Sequence, residues 1–569
     1  MDEEWDKTKE VSPGSGGFLN KEEKKALEKR LQTTRDFPQG VTHDVTREEL
    51  LDVITRIKNK NGAPGEDGIQ VSHWEKVFLN SDVFTGAVCS LCTRLLRTGE
   101  WPENWGVAQL SPLFKGKGDP TDAANYRPIS LLPTLSKICE RIIFGRFQNT
   151  PEVEEGIKAE QGAFQRKRGA LEQVALVLLS VEAEVARQRK RPKTLRRKRQ
   201  RRMPPGVFIA VADVAKAFDS TEYERVLLNS QYDGAPLRFL KAWLHGRKTR
   251  ILLNGRISSL FPNKRGVPQG AVGSAHAFSD FMSGIVDECK QHGVTLRISR
   301  LRIGSPLFAD DVSLLGPDYE NIKLAWSKLV AWCARNGLTL HGGKCSVLYV
   351  PINKSHRVMR GEYLELNSDK IKWSDEATYL GVQIRTARWR LDSKGESNNE
   401  KVSDKVRRAW RPIRRMLKEG GLPLKAALTF YKSAVLSKLL YGSELRINKR
   451  TPSSWEKFHK ECCRELLGAY KADHGNTVWG ELGIPSLDSM ICKNTASFVL
   501  RALTSPNSII REAIADALER DDSDMAHTHT HGEGMVERLC DSRSEKDTIG
   551  LGKTSQVLLS EIVWKFLED

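Results

Sequence analysis

No stretch of this chain stays apolar for the roughly 18 residues that a membrane-spanning helix needs. The opening MDEEWDKTKE is charged from the start and lacks the form of a signal peptide. Cysteine is scarce and scattered: ten in 569 residues, with Cys89-x-x-Cys92 and the adjacent Cys462 and Cys463 as the only close pairs. A zinc site would need a second pair or histidines at ligand spacing, and none follows. Cys89 and Cys92 also sit in an apolar, helix-like stretch and read as packing. No internal repeat is present. These absences point to a reduced, intracellular, soluble protein without a membrane role.

Acid is in the minority. The formal net charge is +18, which favours a polyanionic partner. Its densest source is RQRKRPKTLRRKRQRR at 187–202, with eleven Lys or Arg and no acid. Self-repulsion should keep that run solvated as an extended loop or protruding hairpin. At 569 residues the chain should divide into two or three domains or subdomains.

Residues 1–44 mix charge with SPGSGG and read as a flexible lead followed by a short helix. TREELLDVITRIKN is an amphipathic helix stopped by NGAPGEDG. GVFIAVADV is β-branched and apolar enough for a buried strand, and TRILLNGRISSLF places Asn254-Gly255 between two strand-like runs as a hairpin. In DYENIKLAWSKLVAWCARNG, Ile322, Trp326, Leu329 and Cys333 share a helix face, Asp318 caps the start and Gly337 closes the end. Residues 389–503 are mainly helical by pattern, and 504–569 read as a polar tail with a short closing helix. The alternation of strands and helices predicts an α+β fold.

The apolar run PLFADDVSLL carries two adjacent acids, Asp310 and Asp311. Burying an ionised carboxylate without a partner is costly. A matching acid, Asp213, ends the strand GVFIAVAD far upstream. Acids on neighbouring strands with a third beside them form an oxygen set for two Mg²⁺ ions, suited to an in-line displacement. Taken singly, the DD pair reads as a hairpin turn and Asp213 as a helix cap.

Further blocks occur in order: LFKGKGDPTDAANYRPISLLPTLSKICERII at 113–143, QGAFQRKRGALEQV at 161–174 and VADVAKAFD around Asp213. GVPQGA at 266–271, FADD at 308–311, GLTLHGGKC at 337–345 and YLGV at 379–382 follow. In this order the set resembles a reverse transcriptase of the non-LTR (LINE-type) retrotransposon kind, over about residues 48–390. The resemblance implies a right-hand polymerase with fingers and palm over 45–388, the palm built on an antiparallel sheet, and a helical thumb and post-polymerase region over 389–503. It implies an RNA-directed DNA polymerase that copies element RNA from a DNA primer 3′-hydroxyl by two-metal nucleotidyl transfer. Mg²⁺ would be the cofactor, with Mn²⁺ as a substitute. The partners would be an RNA template, a DNA primer or target and deoxynucleoside triphosphates, with the nucleus as the site of action.

Residue by residue, the resemblance assigns Asp213, Asp310 and Asp311 to catalysis and, with Val214, to the metals. Asp310 is the principal ligand of the DD pair. Lys115 and Arg127 match residues that contact the triphosphate, and Phe218 matches the aromatic beneath the sugar that disfavours a 2′-hydroxyl. Gln269 and Gly270 belong to the loop at the nascent pair. Lys344 matches the lysine suggested to help protonate the leaving pyrophosphate. Tyr379, Leu380 and Gly381 match the primer grip. Departures are His341 where Asn is usual, and AVGSAHAF after GVPQG and QGAFQRKRG in place of the commoner GFR pattern, the latter two weakening the expected template contacts. SDKVRRAWRPIRRMLKEGG reads as the first thumb helix, with Val406, Trp410, Ile413 and Leu417 on one side and a basic face for a duplex on the other.

About 45 residues precede the first polymerase helix, too few for a nuclease domain, so endonuclease activity is expected to come from outside this chain and the reading frame to be partial. His527, His529 and His531 in HTHTH read as a polar loop. The basic run reads equally as an RNA-backbone contact or a nuclear localisation signal. The alternatives are a catalytically idle RNA-binding relic and a cellular relative of the maturase or telomerase kind.

Overall fold

A computed structural model describes residues 18–525 except 34–40, 42, 59–61, 117, 149–158, 166–167, 191–205, 299, 353–363, 367–368, 372, 387–401, 446–450 and 470–474. The first element, α1 (Lys21–Gln32), opens with a capping box in which Asn20 and Glu23 bond each other's backbone N–H. Next come α2 (Arg47–Lys58) and α3 (Asp82–Thr98), then strand β1 (Val107–Phe114) and its antiparallel partner β2 (Tyr126–Leu131). Helices α4 (Thr134–Gln148) and α5 (Ala170–Lys190) lead to β3 (Gly206–Ala215). Helices α6 (Tyr223–Asn229) and α7 (Gly234–Leu244) precede β4 (Lys248–Leu253), which pairs parallel with β1 and turns through Asn254 and Gly255 into β5 (Arg256–Ile257). Both turn residues have positive φ, 51° and 76°, as a two-residue hairpin of this hand requires.

Helix α8 (Val272–Gln291) then leads to the hairpin of β6 (Leu307–Phe308) and β7 (Asp311–Gly316). Helix α9 (Tyr319–Arg335) starts where Asp318 accepts from Asn321 N–H and ends at Gly337, φ 70°. Strands β8 (Thr339–Leu340), β9 (Ser346–Pro351) and β10 (Trp373–Ser374) complete the central sheet, and β11 (Glu376–Tyr379) pairs with β12 (Val382–Arg385) beside it. The sheet runs β10-β9-β3-β7-β6, with β8 also on β3. The expected antiparallel sheet holds through β9-β3-β7-β6, but β10 joins β9 in parallel, so the sheet is mixed.

Strand β3 is buried on both faces, which explains its unbroken apolar run. Phe208, Ala210, Ala212 and Val214 enter one core with α4, α7, α8 and α9. Val207, Ile209 and Val211 enter a second core with α5. At about 1.5–3 kcal/mol for each large side chain buried, these cores hold the central strand rigidly. The remaining helices include α10 (Asp404–Lys418), α11 (Ser453–Leu467), α12 (Leu487–Leu503) and α13 (Ser508–Met525). Val406, Trp410 and Ile413 of α10 are buried in a third cluster, as their spacing predicts.

Three expectations are corrected. The lead is not loose throughout, because α1 docks on the body. Its Arg30 donates to Leu228 O (2.6 Å) and Ser230 O (2.7 Å) and pairs with Asp233 (2.6 Å), while Glu23 pairs with Arg225 (2.7 Å). The tail from 504 is not uniformly polar: Ile509, Ile510, Ala513, Ile514, Ala517 and Leu518 of α13 are buried in the second core, against α5. The basic run does not begin as a loop, since 187–190 form the last turn of α5; residues 191–202 and the HTHTH histidines lie outside the described residues. Cys89 and Cys92 are buried packing residues of α3, as expected. Among the described residues no helix is long and apolar enough to cross a membrane.

Candidate active site

Strand β3 pairs with β7 so that Asp213 stands directly opposite Asp311. Opposed residues share a face of the sheet, with Cβ atoms about 4.5–5.5 Å apart. That face continues from Val207, Ile209 and Val211 in the second core, so the core's alternation carries the two carboxylates to its open end. There they line a cavity of about 410 Å³ together with Lys344, Ser346, Glu376, Thr378 and Gln383.

Asp310 occupies the two-residue β6–β7 turn with Ala309, whose φ of 57° lies in the left-handed region. The pairing thus gives the facing position to Asp311 and the turn position to Asp310. Burial pushes the Asp311 carboxyl up to about 6, with the charges of Asp310 and Asp213 adding to the rise and Lys344 opposing it. Burial also raises Asp310, and Asp213 adds to that rise. Three like charges in one partly buried corner are short of a counterion. Lys344 Nζ supplies one, 2.8 Å from Asp213 Oδ2, and His341 N–H donates to the Asp213 carbonyl (2.9 Å).

Among the described residues no three His, Cys, Asp or Glu side chains converge as a preformed metal cage. The donor chemistry nevertheless fits Mg²⁺, which takes one or two carboxylates and completes its shell with phosphate oxygens and water. Asp213, Asp310 and Asp311 offer hard oxygens only. Val214 has a hydrocarbon side chain, so its backbone carbonyl is the one oxygen it has to offer.

Phe218 lies half-buried on the ring of Phe278, stacked at 3.9 Å, and its carbonyl accepts from Val267 N–H (2.7 Å). This bond ties it to the GVPQG segment. Gln269 O accepts from Ser130 N–H of β2 (2.7 Å), and a Cβ on Gly270 would lie 2.6 Å from Ser130 O. Gly270 also has φ 121°, so both space and backbone demand glycine. Arg127 is exposed on β2, three residues before Ser130, and lies opposite Leu113. Lys115 is exposed just past β1, its Nζ donating to Ala124 O (2.7 Å). Neither cation is hydrogen-bonded to the acids. They share the sheet that grips the Gln269–Gly270 loop.

Leu380 and Gly381, φ 48° and 80°, form the tight turn between β11 and β12. Tyr379 is buried in the second core with its hydroxyl raised by burial, and it donates to Pro306 O (3.4 Å) at the base of the FADD hairpin. Tyr441 donates to Leu380 O (2.7 Å), joining the helical region to this turn. Sequence reading missed Glu376, Thr378 and Gln383 at the cavity wall. Their signal was the period of two in EATYLGVQ, which sets Glu376 and Thr378 opposite in face to Ala377 and Tyr379.

Residues 115–384 match the family described as reverse transcriptase (RNA-dependent DNA polymerase). The chain is 24% identical over 483 residues to the RNA-directed DNA polymerase from mobile element jockey of Drosophila melanogaster, covering 82% of this chain and 49% of that protein. It is 26% identical over 353 residues to a Pol polyprotein from type-1 retrotransposable element R2 of Nasonia vitripennis, covering 61% of this chain and 31% of that one. A probable RNA-directed DNA polymerase from the X-element of Drosophila melanogaster is 28% identical over 233 residues, covering 39% and 23%. The chain spans about half the length of the first of these curated relatives. With the facing acids inside the matched segment, the chain carries a reverse transcriptase domain over residues 115–384 and is similar to the RNA-directed DNA polymerases of non-LTR retrotransposons.

Proposed function

We propose that the chain copies RNA into DNA, extending a DNA primer 3′-hydroxyl with deoxynucleoside triphosphates at the Asp213–Asp311 corner. The observation that carries this reading is the register that sets Asp311 opposite Asp213 at an open cavity, with Asp310 in the adjoining turn. In this reading the central sheet is the palm, the β1–β2–β4 sheet belongs to the fingers, and α10 and the helices after it are the thumb and post-polymerase region. The work would be done on chromosomal DNA in the nucleus.

Asp213, Asp310 and Asp311 would hold two Mg²⁺ ions, or Mn²⁺ in their place. Bound there, the metal supplies charge neutralisation for the attacking and leaving oxygens. The side chains do the positioning. Phe218, braced by Phe278, presents a rigid ring beneath the sugar and excludes a 2′-hydroxyl. Gln269 and Gly270 bring backbone close to the nascent pair, and Arg127 and Lys115 meet the triphosphate as the fingers sheet closes. Lys344 leaves Asp213 and donates a proton to the departing pyrophosphate, a task that suits its flexible ammonium. Tyr379, Leu380 and Gly381 hold the primer end, with Thr378 and Gln383 at the wall beside it.

The test is primer extension by the full chain on an RNA template with Mg²⁺ and deoxynucleotides. Product from wild type and none from Asp213→Ala, Asp310→Ala or Asp311→Ala supports the reading. Absence of product from wild type leaves the idle RNA-binding relic instead, whereas equal product from the Asp311→Ala variant removes the Asp213–Asp311 corner as the site of the reaction.

A further inference from the structure

The turn that carries Asp310 is held from outside its own hairpin. Residues 160–162 run alongside β6: Leu307 N–H donates to Glu160 O (2.9 Å) and Gly162 N–H to Leu307 O (2.8 Å). Between them Gln161 is fully buried. Its Oε1 accepts from two backbone donors, Ala163 N–H (3.0 Å) and Ala309 N–H (3.1 Å). Two N–H donors require the oxygen of the amide, so the chemistry of the neighbours fixes which way the side chain points. Its Nε2 then lies buried without a hydrogen-bond partner. A buried amide left half-satisfied is a poor choice for packing alone. What it secures is the hold on Ala309.

Ala309 is the residue that needs holding. It has φ 57°, a conformation that an L side chain rarely adopts, and it directly precedes Asp310. Left alone, the turn would relax toward ordinary backbone angles and move both acids away from Asp213. The segment that prevents this is itself anchored. Arg168 donates to Gln161 O (2.9 Å), Ser279 to Ala163 O (3.3 Å) and Gln173 to Glu160 O (2.6 Å).

We infer that Gln161 is a positioning residue: its side-chain carbonyl clamps the strained Ala309–Asp310 turn and so presents Asp310 and Asp311 toward Asp213. The inference rests on the reading of these acids as the metal-holding group. It also gives QGAF a task at the catalytic turn, apart from any template contact.

The test measures Mn²⁺ binding to the full chain without nucleic acid, by electron paramagnetic resonance, beside the Mg²⁺ concentration for half-maximal primer extension. Loss of an outer partner of a metal ligand typically weakens metal binding about 10–100-fold. Gln161→Met, which keeps length and burial but removes the acceptor, should weaken Mn²⁺ binding about tenfold and raise the Mg²⁺ requirement in step. Glycine takes φ 57° without steric penalty. Adding Ala309→Gly to Gln161→Met should therefore recover at least half of the loss on a logarithmic scale, which repair of a general packing defect would not do.

Unchanged Mn²⁺ affinity in a folded Gln161→Met protein, or a loss that Ala309→Gly leaves untouched, overturns the inference. Should Gln161→Met fail to fold, hydrogen exchange at the Ala309 amide of wild type decides: protection supports the clamp, and exchange at the rate of an open turn rejects it. If instead wild type and Asp311→Ala bind Mn²⁺ equally, the failure belongs to the reading of the acids.

Discussion

Asp311 faces Asp213 across two antiparallel strands, and Lys344 Nζ lies 2.8 Å from the Asp213 carboxylate. The corner thus holds three acids and one close cation, an arrangement of mutual repulsion that a divalent ion would relieve.

Stability of the metal-free protein should therefore depend on pH in an unusual direction. The Asp311 carboxyl is raised from 3.8 to about 6, so the folded state holds its proton more tightly than the unfolded chain. Its contribution favours folding at low pH and is lost as pH rises from about 4 through about 6. Asp311→Asn should accordingly raise metal-free stability by about 1 kcal/mol at pH 8, after allowing for solvent screening of a partly exposed group. Thermal melts with and without Mg²⁺ check this: the Mg²⁺-induced rise in Tm should be larger near pH 8 than near pH 5 in wild type and largely absent in the variant.

Lys344→Ala removes the counterion from Asp213. An exposed pair of this kind contributes about 0–1 kcal/mol, so the metal-free Tm should fall slightly and the difference should vanish at saturating Mg²⁺. Single-turnover extension should slow about 10²-fold or more if Lys344 donates the proton, with little change in deoxynucleotide KM.

Gly270→Ala would drive a Cβ into Ser130 O and force an unfavourable backbone angle. The Ser130–Gln269 bond between sheet and loop should break. Pre-steady-state kinetics should show a lower kcat/KM for deoxynucleotides by roughly tenfold or more, about 1.4 kcal/mol, while circular dichroism stays close to wild type.

Phe218→Val should relax sugar selection. It removes the ring that stacks on Phe278, so ribonucleotide incorporation relative to deoxynucleotide should rise on a defined RNA template. Unchanged selectivity would remove Phe218 from the sugar gate and leave it a packing residue.

Arg411 and Lys418 are exposed on α10, whose buried side is Val406, Trp410 and Ile413. If this face seats the primer–template duplex, replacing both by Ala should weaken binding evenly across sequences. The slope of log affinity against log salt should become shallower by about 2.

Much of this was readable from local pattern. The run GVFIAVAD declared a buried strand ending in an acid, because a strand covered on both faces has no polar side to display. Asn254-Gly255 declared a tight turn through its tolerance of positive φ. The spacing of Ile322, Trp326, Leu329 and Cys333 declared one face of α9, and all four are buried. The acids and their order with GVPQG and YLGV carried the resemblance to reverse transcriptases, which the match over residues 115–384 bears out.

Other features have no local signature. That Asp311 rather than Asp310 faces Asp213 is a matter of strand register, where a shift of one residue exchanges faces. The docking of α1 through Arg30 depends on carbonyls some two hundred residues away, which no window of sequence contains. Ile509, Ile510 and Ile514 look like isolated apolar residues ahead of a polar tail until α5 is found beside them. Gln161 reads as an ordinary polar residue until its carbonyl meets Ala309 N–H. Side-chain chemistry and short-range periodicity are properties of neighbours along the chain, and they specified which groups are the candidates for the site. Register, burial of a distant helix and the clamp on a strained turn arise from contacts between remote segments, and these set where the groups stand.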